Sequence, residues 1–223
     1  MRWTIPNILT LLRLIAAPML PIMFLYFRHP WSDWFALILF VVAAITDYID
    51  GALARAWSQE TKFGRAMDPI ADKAMVLIAL LVINGYSGLT PWIVLPSALI
   101  FYREVFVSGL REFLGDSANA LKVTYLAKWK TTVQMVAIAT LFSTGIFEHH
   151  FVGLIQGMDE ALVAAILDGT APDELGLSAL WHATYWSGWA GIALLWVAGI
   201  LTLFTGWDYF VKARPFLAEG ERR

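Results

Sequence analysis

The chain has 223 residues, of which 59% are hydrophobic and 15% charged; the formal net charge is −2 and there is no cysteine. Soluble globular domains average about 45–50% apolar residues. The composition therefore excludes an ordinary water-soluble domain, and the missing thiols exclude disulfides, thiolate metal sites and cysteine nucleophiles.

A membrane-crossing helix needs about 20 mainly apolar residues. In chain order, six segments qualify: 5–27, 34–57, 69–86, 92–114, 125–147 and 185–211. They leave no room for a separate soluble domain, so residues 1–223 read as one all-α, polytopic membrane domain with six transmembrane helices. No internal repeat is evident. The first segment opens with Thr4, a suitable cap, and Pro6, suited to a first helical turn. It contains Arg13, lacks a small-residue cleavage site and is followed by further apolar runs, so it reads as a helix rather than a signal peptide. Between the fifth and sixth segments, residues 148–181 carry Asp159, Glu160, Asp168, Asp173 and Glu174 but no basic residue. Leu154, Ile155, Met158, Leu162 and Ile166 fall there at helical spacing. This pattern predicts a short amphipathic helix on the outer face, within an extracytoplasmic insertion.

Charge placement orients the chain. If the N-terminus is cytoplasmic and the spans alternate, Arg28 is the only basic residue in the outer loops. The inner ends and loops then collect most of the rest, from Arg2 through Arg55, Lys62, Arg65 and Lys73 to Arg222 and Arg223. The positive-inside rule thus predicts that both termini are cytoplasmic. Trp3, Trp31, Trp92, Trp181, Trp186 and Trp207 lie near span ends, where aromatic rings anchor at the interface.

The chemistry is concentrated in residues 47–72. Asp47, Asp50, Gly51, Ala54 and Arg55 share one face of a helix. After a short turn, Gly64, Asp68 and Asp72 repeat every four residues and share a face of the next helix. Two antiparallel helices could point both faces at each other and gather four carboxylates near the cytoplasmic boundary. Such a cluster is costly to desolvate and tolerable only with cations. Carboxylate oxygens suit Mg²⁺, Mn²⁺ or Ca²⁺, and two divalent ions would neutralise four carboxylates while still gripping phosphate oxygens. Gly51 and Gly64 would permit close approach of a ligand or backbone. Acid clusters in membranes also mark ion paths, but a cation transporter gives no reason for Gly51, Ala54, Arg55 and Gly64. A non-catalytic scaffold would tolerate the loss of all four acids.

This stretch resembles the signature of the CDP-alcohol phosphotransferases, Asp-x2-Asp-Gly-x2-Ala-Arg-x8-Gly-x3-Asp-x3-Asp, and matches it at every fixed position: Asp47, Asp50, Gly51, Ala54, Arg55, Gly64, Asp68 and Asp72. The resemblance implies six transmembrane helices around a polar cavity open to the cytoplasm, usually in a homodimer. It implies that Asp47, Asp50, Asp68 and Asp72 hold two Mg²⁺ or Mn²⁺ ions, and that Asp47, Asp50, Gly51, Ala54, Arg55 and Gly64 seat the CDP group of a CDP-activated lipid. It also implies that Asp72 acts as general base on the acceptor hydroxyl. Asn7 and Thr10, with Arg13, are further candidates for the nucleotide pocket; simple capping and snorkelling would explain them equally well.

The motif does not choose the acceptor. Arg103 lies inside the fourth span, Arg111 is eight residues on along the same face, and Lys128 and Lys130 open the fifth span. Intramembrane cations are functional candidates, and Arg and Lys suit an acceptor carrying its own phosphate better than serine, choline or ethanolamine. The bland alternative pairs Arg103 with Glu104 or with the aspartate cluster and lets the lysines snorkel. Arg13, Lys73, Glu104, Gly109 and Thr131 extend the resemblance to family members whose acceptor is glycerol 3-phosphate. The expected substrates are then CDP-diacylglycerol and glycerol 3-phosphate, in the inner membrane of a bacterium, with no nucleic-acid partner. Inositol phosphate, serine or phosphatidylglycerol remain alternative acceptors.

Overall fold

The computed structural model describes residues 4–27, 29–56, 61–115 and 125–219. Among them there are only helices and short connections: α1 (Ile5–Tyr26), α2 (Trp31–Ala56), α3 (Lys62–Tyr86), α4 (Pro91–Leu114), α5 (Tyr125–Ile155), α6 (Glu160–Leu167) and α7 (Leu177–Glu219). Thr4 caps α1 by accepting from the Asn7 N–H at 3.4 Å, with Pro6 in the first turn, as its sequence suggests.

Four helical stretches are long and apolar enough to cross a membrane: Ile5–Tyr26, Pro91–Leu114, Trp129–Ile155 and Leu177–Leu217. The chain is a multi-pass membrane protein. Its outer surface agrees, since Leu12, Ile15, Leu25, Ile38 and Phe204 are all more than half exposed. Water rarely faces apolar area on that scale, whereas lipid does. The other two expected spans are helices too, but their apolar parts are shorter. In α2 the apolar stretch is Trp31–Thr46, ending where the acidic motif begins. In α3 the charges Lys62, Asp68, Asp72 and Lys73 occupy the first turns. The polar motif thus occupies the last turns of one helix and the first turns of the next, and shortens what is left for lipid.

The chain divides into two compact units. Unit 1 comprises residues up to Ile83 together with Ile138–Gly191. Its core is built from Leu20, Phe40, Met75, Leu80, Ile138 and Phe142, all essentially inaccessible. Phe142 of α5 stacks on Phe24 of α1 and meets Phe40 of α2 edge-on, each at 6.1 Å between ring centroids. Gly191 of α7 lies so close to α5 that a Cβ would stand 2.7 Å from Leu141 Cδ2. Small residues that let backbones approach are the usual device where lipid removes the hydrophobic drive between helices.

Unit 2 comprises Asn84–Ala137 and Ile192–Arg223. Gly199 of α7 packs on Pro96 of α4, where a Cβ would be 3.3 Å from Pro96 Cβ. The Trp196 indole N–H donates to the Trp92 carbonyl at 3.0 Å, and Asn84 donates to Ser97 at 3.0 Å. These bonds satisfy polar groups that lipid cannot.

Several boundaries differ from the hydropathy reading. Helix α3 begins at Lys62 rather than 69, α5 runs on to Ile155 rather than ending near 147, and α7 runs from Leu177 to Glu219 rather than over 185–211. Hydropathy falls at Glu148, His149 and His150, but the helical hydrogen bonds continue through them. Of the short helix expected through Leu154, Ile155, Met158, Leu162 and Ile166, only α6 forms separately; Leu154 and Ile155 belong to α5 and Met158 lies in the turn between. The Asp159 carboxylate caps α6 by accepting from Ala161 N–H at 3.0 Å. Phe151, Ile166 and Leu177 form a small core that ties α6 to the ends of α5 and α7.

Candidate functional site

The second half of the aspartate motif is on α3, and α1 is laid along it residue by residue. Thr61 Oγ1 donates to Asn7 Oδ1 at 2.9 Å and accepts from Gly64 N–H at 3.0 Å. Thr10 Oγ1 donates to Asp68 Oδ1 at 2.5 Å. Arg13 Nη1 donates to Asp72 Oδ1, also at 2.5 Å, as an ion pair. The partners advance together along both helices, so α1 and α3 run parallel here. The spacing explains the match: steps of three on α1 and of four on α3 each stay on one helical face.

Burial is graded across this seam. Asn7, Thr10 and Arg13 are at most 4% exposed, whereas the Asp72 side chain is 47% exposed. The α1 groups therefore form the rigid back of the seam, with the Asp72 carboxylate at its open side. Charge-assisted bonds of this kind are short and directional. Gly64 is required by close approach, since a Cβ there would stand 2.9 Å from Asn7 Oδ1 and 3.8 Å from Asp68 Oδ2.

Helix α2 is continuous through the first half of the motif. The side chains of Asp47, Asp50, Gly51, Ala54 and Arg55 lie outside the described residues, as does that of Lys128. Asn7, Thr10 and Arg13 are engaged differently from simple capping or snorkelling: they are inward-facing partners of the α3 motif. Nothing in the sequence pattern of α1 showed which acid each would meet.

Within unit 2, charged residues of α4 and α5 meet. Glu104 Oε1 accepts from Arg103 Nη1 at 3.0 Å and from Lys130 Nζ. All three side chains are 14% exposed or less. Two buried cations thus meet on one buried carboxylate. The pairing of Arg103 with Glu104 suspected from sequence is present, and Lys130 joins it instead of snorkelling. Arg111 does not join; it is exposed and its guanidinium lies 5.4 Å from the ring centre of Tyr209 on α7. Glu104 is the residue that sequence reasoning undervalued. The signal available was a carboxylate inside a span, directly after the intramembrane Arg103.

No ion is present in the structure, but the donor chemistry fits divalent cations. Asp68 and Asp72 offer hard oxygens on one partly open face, suited to Mg²⁺ or Mn²⁺. The chain belongs to the CDP-alcohol phosphatidyltransferase family, whose sequence model matches residues 3–204. It is 57% identical over 221 residues to the CDP-diacylglycerol–glycerol-3-phosphate 3-phosphatidyltransferase of Cereibacter sphaeroides, covering 98% of this chain and 99% of that one. It is 34% identical over 221 residues to proteins of the same name from Escherichia coli K12 and Salmonella choleraesuis, covering 98% of this chain and 100% of each.

Proposed function

We propose that this protein transfers a phosphatidyl group from CDP-diacylglycerol to glycerol 3-phosphate, giving phosphatidylglycerophosphate and CMP. The observation that carries this reading is the complete motif from Asp47 to Asp72 in a chain that matches relatives of that name along nearly their whole length. The seam in which α1 fixes Asp68 and Asp72 supports it.

In this reading, Asp47, Asp50, Asp68 and Asp72 hold two divalent ions of the Mg²⁺ or Mn²⁺ class. Bound there, the ions supply charge neutralisation at the diphosphate, their general role in phosphoryl transfer. Gly51, Ala54, Arg55 and Gly64 seat the nucleotide, with Asn7 and Thr10 behind them. Arg13 holds the Asp72 carboxylate in place. The acceptor phosphate is drawn to the positive group of Arg103 and Lys130, with Arg111 and Lys128 in support. The Arg103 Nε–H is buried and has no hydrogen-bond partner among the described residues, which suits a guanidinium awaiting an anion.

Asp72 accepts the proton of the acceptor's primary hydroxyl. That oxygen forms a bond to the lipid-side phosphorus as the bond to the CMP oxygen breaks, and CMP leaves with the electron pair. One direct displacement needs no protein nucleophile, and no fixed position of the motif is a Ser, Cys or His. The reading includes six membrane crossings, a cavity open to the cytoplasm, both termini cytoplasmic, a bacterial inner membrane and a homodimer.

The test is CMP release from CDP-diacylglycerol by purified protein, with each candidate acceptor and with Mg²⁺ or Mn²⁺. Release that requires glycerol 3-phosphate and metal is expected. Equal or faster release with serine, inositol phosphate or phosphatidylglycerol would assign another acceptor. Metal flux into liposomes without any release would overturn the enzymatic reading.

A further inference from the structure

At the other end of α2 lies a second group of ligand-bearing side chains. Asp33, in the first turn of α2, and Asp47 are fourteen residues apart, about 21 Å along the helix. His29 precedes α2, and His149 is on α5. His29 Nδ1 lies 2.7 Å from Asp33 Oδ2, and His149 Nδ1 lies 3.4 Å from the same oxygen. The two imidazole rings stack at 3.8 Å with an 11° tilt. One donor atom from each residue lies within 4.8 Å of the others.

The surroundings are shaped to this group. The Asp33 side chain is 2% exposed, and the imidazoles are about one-third exposed. The α5 backbone presses on the carboxylate: a Cβ at Gly145 would stand 3.0 Å from Asp33 Oδ1. The Gly145 carbonyl also accepts from His149 Nδ1 at 2.7 Å, a bond that fixes the tautomer and leaves Nε2 as the ring atom able to take a metal. Ser32 Oγ lies 3.1 Å from His29 Nδ1, and Phe24 meets the His29 ring edge-on at 5.7 Å.

A buried carboxylate needs a positive partner. Among the described residues, Asp33 pairs only with the two imidazoles; Arg28 lies outside them. Two parallel rings in van der Waals contact repel if both are protonated. A divalent cation resolves the conflict, because it neutralises the carboxylate and takes neutral imidazoles as ligands. Two histidines and one carboxylate select Zn²⁺-class ions over Mg²⁺, which prefers oxygen alone. We propose that His29, Asp33 and His149 form a binding site for a Zn²⁺-class divalent cation, clipping the α1–α2 turn to α5 at the end of unit 1 away from the aspartate motif.

The experiment uses the full chain in detergent micelles, stripped with EDTA, returned to excess Mg²⁺ and titrated with Zn²⁺. Bound zinc is counted by elemental analysis, and Co²⁺ is substituted to read ligation from its visible absorption. His29→Gln and His149→Gln should each bind one Zn²⁺ fewer per chain than wild type while retaining CMP release. Any zinc at the aspartates is common to all three proteins and cancels in the difference. Equal stoichiometry in the three overturns the proposal. A second measurement needs no variant: Zn²⁺, but not Mg²⁺, should slow carbethoxylation of His29 and His149 in wild-type protein. Unchanged rates with Zn²⁺ would mean that a shared proton, not a metal, occupies the place, and would equally overturn it.

Discussion

Arg13 offers the sharpest test of the seam between α1 and α3. It is 4% exposed, and its Nη1 is 2.5 Å from Asp72 Oδ1. Arg13→Met keeps most of the volume and removes the charge. Removing one partner of a fully buried pair costs about 3–5 kcal/mol. Here the Asp72 side chain is 47% exposed, so water restores much of its solvation. The stability loss then falls toward the roughly 1 kcal/mol typical of exposed pairs. Function should suffer more. Partners that orient metal-ligating groups are worth about 10–100-fold in metal affinity or activity. We therefore expect kcat/KM to fall about 10–100-fold, with a rise in the Mg²⁺ or Mn²⁺ concentration giving half-maximal rate. Arg13→Lys should recover part of the loss. The assay is CMP release across a metal titration, paired with thermal unfolding in the same detergent. Wild-type turnover and metal dependence in Arg13→Met would refute the reasoning. So would a loss of activity that merely tracks the loss of folded protein.

Asp72→Asn should abolish most turnover while leaving CDP binding measurable by calorimetry; full activity would remove Asp72 as the base. Arg103→Ala should raise the KM for glycerol 3-phosphate far more than that for CDP-diacylglycerol, and equal rises would end its acceptor role. Gly64→Ala drives a methyl against Asn7, an overpacking that costs about 1–3 kcal/mol; the melting temperature should drop, and Asn7→Ala in the same chain should restore part of it. The Asp173 carboxylate is held below its ordinary value of 3.8, chiefly by the Ser178 backbone N–H, with Leu177 adding to it. A lowered folded value stabilises the protein above the ordinary value, and that contribution fades as pH falls through the folded one. Amide exchange at Leu177 and Ser178 should therefore be faster in Asp173→Asn at neutral pH, with the difference from wild type shrinking below about pH 4.

What could be read from the sequence was whatever depends on spacing along one helix. Asp47 and Asp50, or Gly64, Asp68 and Asp72, declare a common face because 3.6 residues make a turn. The apolar stretches also declared themselves, although α2 and α3 give up part of their length to the motif. What depends on a neighbouring helix was hidden. Thr10 and Arg13 were candidates by resemblance, but the acids they meet appear only when α3 is laid beside them. Glu104 follows Arg103 directly, and adjacent helical residues point apart; only long side chains, and Lys130 from another helix, bring the three charges together. His149 stands more than a hundred residues from Asp33, with no periodicity to link them. The end of α5 was missed because hydropathy marks where lipid ends, whereas the helix continues as long as its own hydrogen bonds do.

Helix α7 carries no acidic residue, lysine or arginine between Leu177 and Trp207, a length of about 46 Å at 1.5 Å per residue. A hydrocarbon layer is about 30 Å thick, so this rod has apolar length to spare. When the surrounding bilayer thickens or thins by a few ångströms, the helix can tilt or shift without dragging a charge into oil. For a catalyst whose own product alters the lipid mixture around it, such slack keeps the fold indifferent to the medium it is remaking.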